Sequence, residues 1–199
     1  MKKLVFATGN PNKLREIKEI LADLPYEILC MKDIGLDLQI EENADTFEGN
    51  ALIKARALHQ ATGDLAIADD SGLEVDAMDK APGVYSARFM GEDTSYEIKN
   101  AAILKNLEGK EGPERSARFV CVAAVVFPDG TEATVRGVME GTIAKQPAGF
   151  NGFGYDPIFI AEGYDVTNSM LPPEEKNAIS HRGKAIRGIR DLLLSHSEQ

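Results

Sequence analysis

The chain has 199 residues and a formal net charge of −10, enough length to bury a core without disulfides or a structural metal. So acidic a composition disfavours a nucleic-acid polymer or an anionic membrane as partner, since both are bound through basic surfaces, although a small anion can still be held by a few local cations. Cys30 and Cys121 lie far apart among apolar residues without a CxxC spacing and read as core thiols, neither of them catalytic, in a reducing, cytoplasmic setting.

The opening MKKLVFATGN holds a short apolar run that Asn10 and Pro11 cut before a signal-peptide core is complete, and no later run approaches a membrane span. Residues 3–8 read as a strand. From Pro11, the apolar residues Leu14, Ile17, Ile20, Leu21 and Leu24 recur at helical spacing. Asn10 suits the N-cap and Pro11 the first helical position, so the loop Thr8, Gly9, Asn10, Pro11, Asn12, Lys13 is expected to present free backbone N–H groups at a positive helix end. That arrangement suits a phosphate. Lys13 opposes the macrodipole and so fits anion binding better than stability, while an ordinary strand-to-helix turn with a solvated lysine remains the plain alternative. A P-loop is excluded, because GxxxxGK[ST] needs a second glycine and a hydroxyl residue after the lysine.

Residues 26–31 form a candidate strand, and the next stretch leads to Glu41, Glu42 and Asp45. Thr46 is placed to cap a helix carrying Ala51, Leu52, Ala55 and Leu58 on one face, Lys54 and Arg56 beside it, and an end near Gly63. Asp45 and Glu48 are accounted for as dipole partners. Glu41 and Glu42 stand in the connection and are free to reach another site.

The run LAIADDSGLEV is expected to be a strand buried on both faces that stops at Asp69 and Asp70. Two adjacent acids there repel one another and lose hydration, so they are tolerable where a cation or a substrate proton offsets the charge, or where the junction is simply solvated. Mg²⁺ takes carboxylate oxygen through one or two side chains plus substrate phosphates. Since neighbouring strand residues face opposite ways, only one acid can line a given pocket. Asp70, beside Ser71, is the one expected to do so.

APGVYSAR then reads as a loop, and residues 96–107 as a helix with Ile98, Ala102, Ile103 and Leu107 inward. Residues 119–127 and 131–138 are expected to pair antiparallel around a two-residue Asp129-Gly130 turn. FPDGT lacks the first aspartate of the haloacid-dehalogenase DxDGT signature, which excludes that covalent phosphatase mechanism. GFNGFGYDP follows, where glycines allow close backbone approach and Phe153 or Tyr155 offers a face to a base, worth about 1–3 kcal/mol per stacked base. A glycine-bent corner with core aromatics is the alternative. Residues 174–194 read as an amphipathic helix interrupted at Ser180, His181, Arg182 and Gly183. His181, Arg182 and nearby Lys176 make a donor cluster in an acidic chain.

Taken in order, ATGNPNK, TFEGNALIKA, IADDSGLEVDA, APGVYSAR, GFGYDPIF and EEKNAISHRGKA resemble the house-cleaning inosine/xanthosine triphosphate pyrophosphatases over nearly the whole chain. The resemblance implies an α/β fold with an elongated mixed β-sheet flanked by helices, two lobes of one domain around a substrate cleft, and a homodimer. It also implies Mg²⁺-dependent cleavage of aberrant purine nucleoside triphosphates such as ITP, dITP and XTP to monophosphate and pyrophosphate. Carried onto this chain, the phosphate loop falls on Thr8 to Lys13, the metal-binding acids on Glu41 and Asp70, and the catalytic base on Asp70, which serves both roles either by binding through a metal-bound water or by sharing the work with Asp69 or Glu41. Ser71, Phe153, Gly154, Tyr155, Asp156, Lys176, His181 and Arg182 become substrate contacts, with Glu42, Lys54 and Asp69 as accessory groups. His181 and Arg182, as donors, would select a 6-oxo purine over adenine. Two departures are visible, Met170 in place of an acid and Ser169 in place of alanine. A nucleotide-sensing module and a phosphatase releasing orthophosphate are the competing classes; Glu41 and Asp70 speak against the first, and product identity separates the second.

Overall fold

In a computed structural model, which describes residues 2–197, the N-terminal reading is met by strand β1 (Lys2–Phe6) and helix α1 (Pro11–Ile20). Ile17 and Leu21 on the apolar face of that segment are buried. Strand β2 (Tyr26–Cys30) follows. Helix α2 (Phe47–Thr62) starts where Thr46 accepts from the Gly49 N–H and stops at Gly63 in the left-handed region.

Strand β3 (Leu65–Val75) corrects the sequence reading. It does not end at the two acids but runs through them, so Asp69 and Asp70 sit inside an extended segment and face opposite ways. Helix α3 (Tyr96–Asn106) is also turned relative to expectation: Lys99, Asn100 and Ile103 are buried while Ile98 is 53% exposed. Strands β4 (Ser116–Val126) and β5 (Glu132–Ile143) form the expected hairpin. Its turn has three residues rather than two, because the Phe127 N–H closes on the Thr131 carbonyl around Pro128, Asp129 and Gly130. After β6 (Phe159–Ala161), the last amphipathic stretch divides at Ser180 into α4 (Pro173–Ile179) and α5 (His181–Ser197).

The sheet order is β2-β1-β3-β4-β5-β6. β1 is parallel to both β2 and β3, and β5 is antiparallel to β6, which makes the sheet mixed and the fold α/β. No described helix is long and apolar enough to cross a membrane.

The chain divides into two compact units. One takes in the residues up to Asp70, Cys121–Gly137 and the chain from Arg182 onward; its core includes Leu4, Phe6, Ile17, Ile67, Val125, Ile186 and Ile189. The other takes in Ser71–Val120 and Val138–His181, with a core of Leu73, Ile103, Leu107, Phe119, Ile158 and Phe159. Cys30 and Cys121 are buried and form no disulfide.

Candidate active site

In the first unit, β1 delivers the chain to the loop ahead of α1, and Asn10 shapes it. The Asn10 side chain accepts from the N–H groups of Asn12 (2.9 Å) and Lys13 (3.4 Å), while the Asn10 N–H donates to Thr8 Oγ1 at 3.0 Å. This corrects the expected row of free N–H donors, since the cap itself occupies those of residues 10, 12 and 13 and Pro11 has none. Of the groups expected to meet an anion, the Lys13 ammonium and the Gly9 amide are left outside this cap.

Lys13 is already turned to a carboxylate. Its Nζ lies 3.1 Å from Oδ2 of Asp69, which is only 2% exposed. Arg182 approaches the same oxygen with Nε at 3.5 Å and reaches Glu16 with Nη1 at 3.0 Å. Burial alone would raise the Asp69 carboxyl; the charges of Lys13, Arg182 and Lys54 outweigh it and hold Asp69 well below the usual carboxylate range. Sequence reasoning did not find Glu16 or the link from Asp69 to Arg182.

Asp70 is in a different situation. Burial pushes its carboxyl up to about 6, against the pull of Lys54 and with the nearby charges of Glu42 and Asp69 adding to the rise. Lys54 Nζ is 3.0 Å from Glu42 and 3.8 Å from Asp70. The Asn50 amide, whose Oδ1 accepts from the Ala44 N–H at 3.0 Å, also acts on Asp70. A carboxylate poised near neutrality is a competent proton acceptor. Glu41, by contrast, is exposed on the connection before α2, and it is Glu42 that meets Lys54.

No group of three or more His, Cys, Asp or Glu side chains among the described residues forms a metal cage. A buried carboxylate destabilised as an anion, with a second acid near it, nevertheless suits a hard cation that takes one or two carboxylates and completes its shell with phosphate oxygens. Mg²⁺ fits that donor set.

In the second unit, Asp156 organises the glycine-rich loop. Its buried carboxylate accepts from Lys176 Nζ at 2.7 Å, Asn168 Nδ2 at 3.2 Å and the Phe153 N–H at 3.0 Å. A side chain on Gly152 would collide with that carboxylate, which is why the bend needs glycine. Lys176 lies 4.9 Å from the Phe153 ring centroid, and Tyr155 donates its hydroxyl to the Ser86 carbonyl at 2.6 Å. Phe153 and Ser71 are half-buried. His181 stacks on Phe119, with centroids 4.8 Å apart. The structure thus brings Phe153, Asp156 and Lys176 together in one unit, and Lys13, Lys54, Asp69, Asp70 and Arg182 in the other. Ser169 is buried, with its carbonyl accepting from the Phe150 and Asn151 N–H groups, and Met170 is half exposed.

Residues 4–192 match the model of the Ham1 family. The dITP/XTP pyrophosphatase of Bacillus licheniformis is 46% identical over 97% of this chain and 98% of its own, and the enzyme of that name from Geobacter sulfurreducens is 47% identical over 97% of each. Among solved structures, a HAM1 protein from Coxiella burnetii superposes with a TM-score of 0.90 at 41% identity, covering 98% of this chain and 100% of that one. A nucleoside-triphosphatase described as a dITP/XTP pyrophosphatase from Mycobacterium abscessus gives 0.77 at 42% identity, covering 94% and 98%.

Proposed function

The chain belongs to the Ham1 family, and from that premise we propose that it is a Mg²⁺-dependent nucleoside triphosphate pyrophosphohydrolase. It cleaves dITP, ITP and XTP to the nucleoside monophosphate and pyrophosphate, and so removes aberrant purines from the nucleotide pool. Support comes from the names of its full-length relatives and from one structural observation. Adjacent acids on β3 meet different fates: Asp69 lies 3.1 Å from Lys13 and 3.5 Å from Arg182, whereas Asp70, also buried, has Lys54 at 3.8 Å, shared with Glu42, and burial raises its carboxyl.

Each fate suits one part of the reaction. The phosphates are taken by Lys13, the Gly9 amide and Lys54, which oppose the charge that develops on bridging and non-bridging oxygens. When bound, Mg²⁺ held by Asp70 and Glu41 would withdraw charge from the phosphates and favour departure of pyrophosphate. Asp70 accepts the proton of a water that attacks the α-phosphorus; the bond from that phosphorus to the oxygen bridging it to the β-phosphorus breaks, and pyrophosphate carries away the electron pair. Lys54 sets the balance at Asp70, since its charge is shared with Glu42.

The base is assigned to Phe153, Gly154, Tyr155 and Asp156, with Lys176 and His181. Arg182 is assigned there too, as the resemblance implies; Glu16 and Asp69 engage two of its nitrogens, so it also braces the site. The resemblance is likewise the support for a homodimer, and the two buried cysteines without a disulfide are the support for a reducing, cytoplasmic setting.

The test is product analysis on dITP and XTP. Pyrophosphate as the first product, abolished by chelator and restored by Mg²⁺, is expected; orthophosphate as the first product, or full turnover in chelator, contradicts the reading.

A further inference from the structure

The motif APGVYSAR and the buried face of α3 carry polar groups that the phosphate chemistry leaves unused. Lys99 is 1% exposed, yet no carboxylate pairs with it among the described residues. Its ammonium donates to the Ala87 carbonyl at 2.5 Å and lies 4.8 Å from the Tyr96 ring centroid. One residue on, Asn100 is 4% exposed and donates from Nδ2 to the Gly154 carbonyl at 3.2 Å. Tyr96, one turn earlier, meets Tyr155 edge to face at 5.2 Å. Tyr155 in turn donates to the Ser86 carbonyl at 2.6 Å. Helix α3 thus grips both the APGVYSAR loop and the glycine-rich loop assigned to the base.

The grip on Gly154 has a directional result. A trans peptide is planar, with its C=O and N–H pointing opposite ways, so drawing the Gly154 oxygen to Asn100 aims the Tyr155 N–H away from α3. That N–H has no acceptor among the described residues, although Tyr155 is only 4% exposed. Gly154 has φ +65°, and glycine's tolerance means that this peptide could turn over at small cost if nothing held it. A turned peptide would offer a carbonyl where an N–H had been.

We propose that Asn100 is a specificity-determining positioning residue, which holds the Gly154–Tyr155 peptide so that the Tyr155 N–H donates to the 6-oxo group of the purine. The proposal rests on the assignment of residues 153–156 to the base. With the peptide held, the 6-amino group of adenine meets a donor and neither is satisfied; with it released, the carbonyl accepts from that amino group. Lys99 supports the same arrangement by fixing the Ala87 carbonyl beside the Tyr155 anchor at Ser86.

The experiment compares kcat/KM for ITP and ATP in wild type, Asn100→Asp, Asn100→Leu and Phe153→Ala, with melting temperature measured alongside. Asp keeps the shape without a donor, and Leu keeps the volume without polarity. In both Asn100 variants the ITP to ATP ratio should fall by about tenfold or more, because a site built on a hydrogen bond to substrate discriminates strongly until that bond is lost. Equal losses on ITP and ATP would make Asn100 merely structural and overturn the inference. Phe153→Ala should weaken both substrates; no effect on either would overturn the base-site assignment itself, whatever Asn100 does. A crystal structure of the wild-type protein with an inosine nucleotide tests the idea without a variant: Tyr155 N within hydrogen-bond reach of the base oxygen supports it, and the Gly154 carbonyl facing the base refutes it.

Discussion

Lys13 and Asp69, 56 residues apart in the chain, meet at 3.1 Å. The contact joins the start of α1 to the middle of β3, and it takes up one of the two acids that the sequence presents side by side. Because strand side chains alternate, Asp70 faces away from this pair and towards Lys54. A repulsive doublet becomes two groups with separate tasks.

The first prediction sets the two acids against each other. Asp69→Asn leaves Lys13 and the buried Arg182 without their shared carboxylate, and breaking a buried pair costs about 3–5 kcal/mol, so the melting temperature should fall together with turnover. Asp70→Asn removes a charge that burial disfavours; stability should hold or rise while the rate drops by about 10² to 10⁴. Melting temperature and kcat measured on both variants check this, and an Asp70→Asn protein that is active but unfolds early would show Asp70 to be structural.

The second prediction concerns pH in metal-free protein. With its carboxyl raised to about 6 in the fold, against about 3.9 in the unfolded chain, Asp70 binds its proton more tightly when native. Its contribution to stability is therefore full below the unfolded value and is lost as pH rises through the folded one. The melting temperature of wild type should decline relative to Asp70→Asn between about pH 4 and pH 6. Asp69, held low, acts in the opposite sense: its contribution is present above its unfolded value and is lost on further acidification. Parallel curves for wild type and Asp70→Asn across that window would contradict the assignment.

Magnesium dependence separates the two glutamates before α2. Glu42 is occupied with Lys54 at 3.0 Å, whereas Glu41 is exposed. Glu41→Gln should raise the Mg²⁺ concentration for half-maximal rate by about tenfold or more, as loss of a ligand does. Glu42→Gln should leave that concentration nearly unchanged and lower kcat, because Lys54 then presses harder on Asp70. A titration that ranks the two variants the other way would move the metal to Glu42.

Much of this was legible in the sequence where local chemistry decides. Asn10 and Pro11 announce the start of α1, Thr46 and Gly63 bracket α2, and the acids of β3 are conspicuous in an otherwise apolar run. Long-range pairing was not legible: Glu16 meets Arg182 across 166 residues, and nothing in either local pattern joins them. The loop before α1 offers fewer open donors than its sequence suggests, because Asn10 satisfies N–H groups that a helix start otherwise leaves open. For α3 the sequence carries two competing signals: Tyr96, Asn100, Ile103 and Leu107 follow helical spacing, but the hydrophobicity of Ile98 points to a face turned away from Lys99 and Asn100, which are the buried residues.

Arg182 supplies a prediction about coupling. Arg182→Ala leaves Glu16 and Asp69 as buried, undercompensated acids, so it should destabilise the protein and reduce turnover. Adding Glu16→Gln should recover part of the lost melting temperature, since the two residues act as one unit. Strict additivity of the two substitutions would show that the contact carries no weight.

The central claim is that water attacks the α-phosphorus and displaces pyrophosphate. Hydrolysis of ITP in ¹⁸O-labelled water, with mass analysis of both products after a single turnover, tests it most directly. Label in the inosine monophosphate and none in the pyrophosphate is the expected result. Label in the pyrophosphate, or labelled orthophosphate as the first product, would place the attack on another phosphorus and contradict the account.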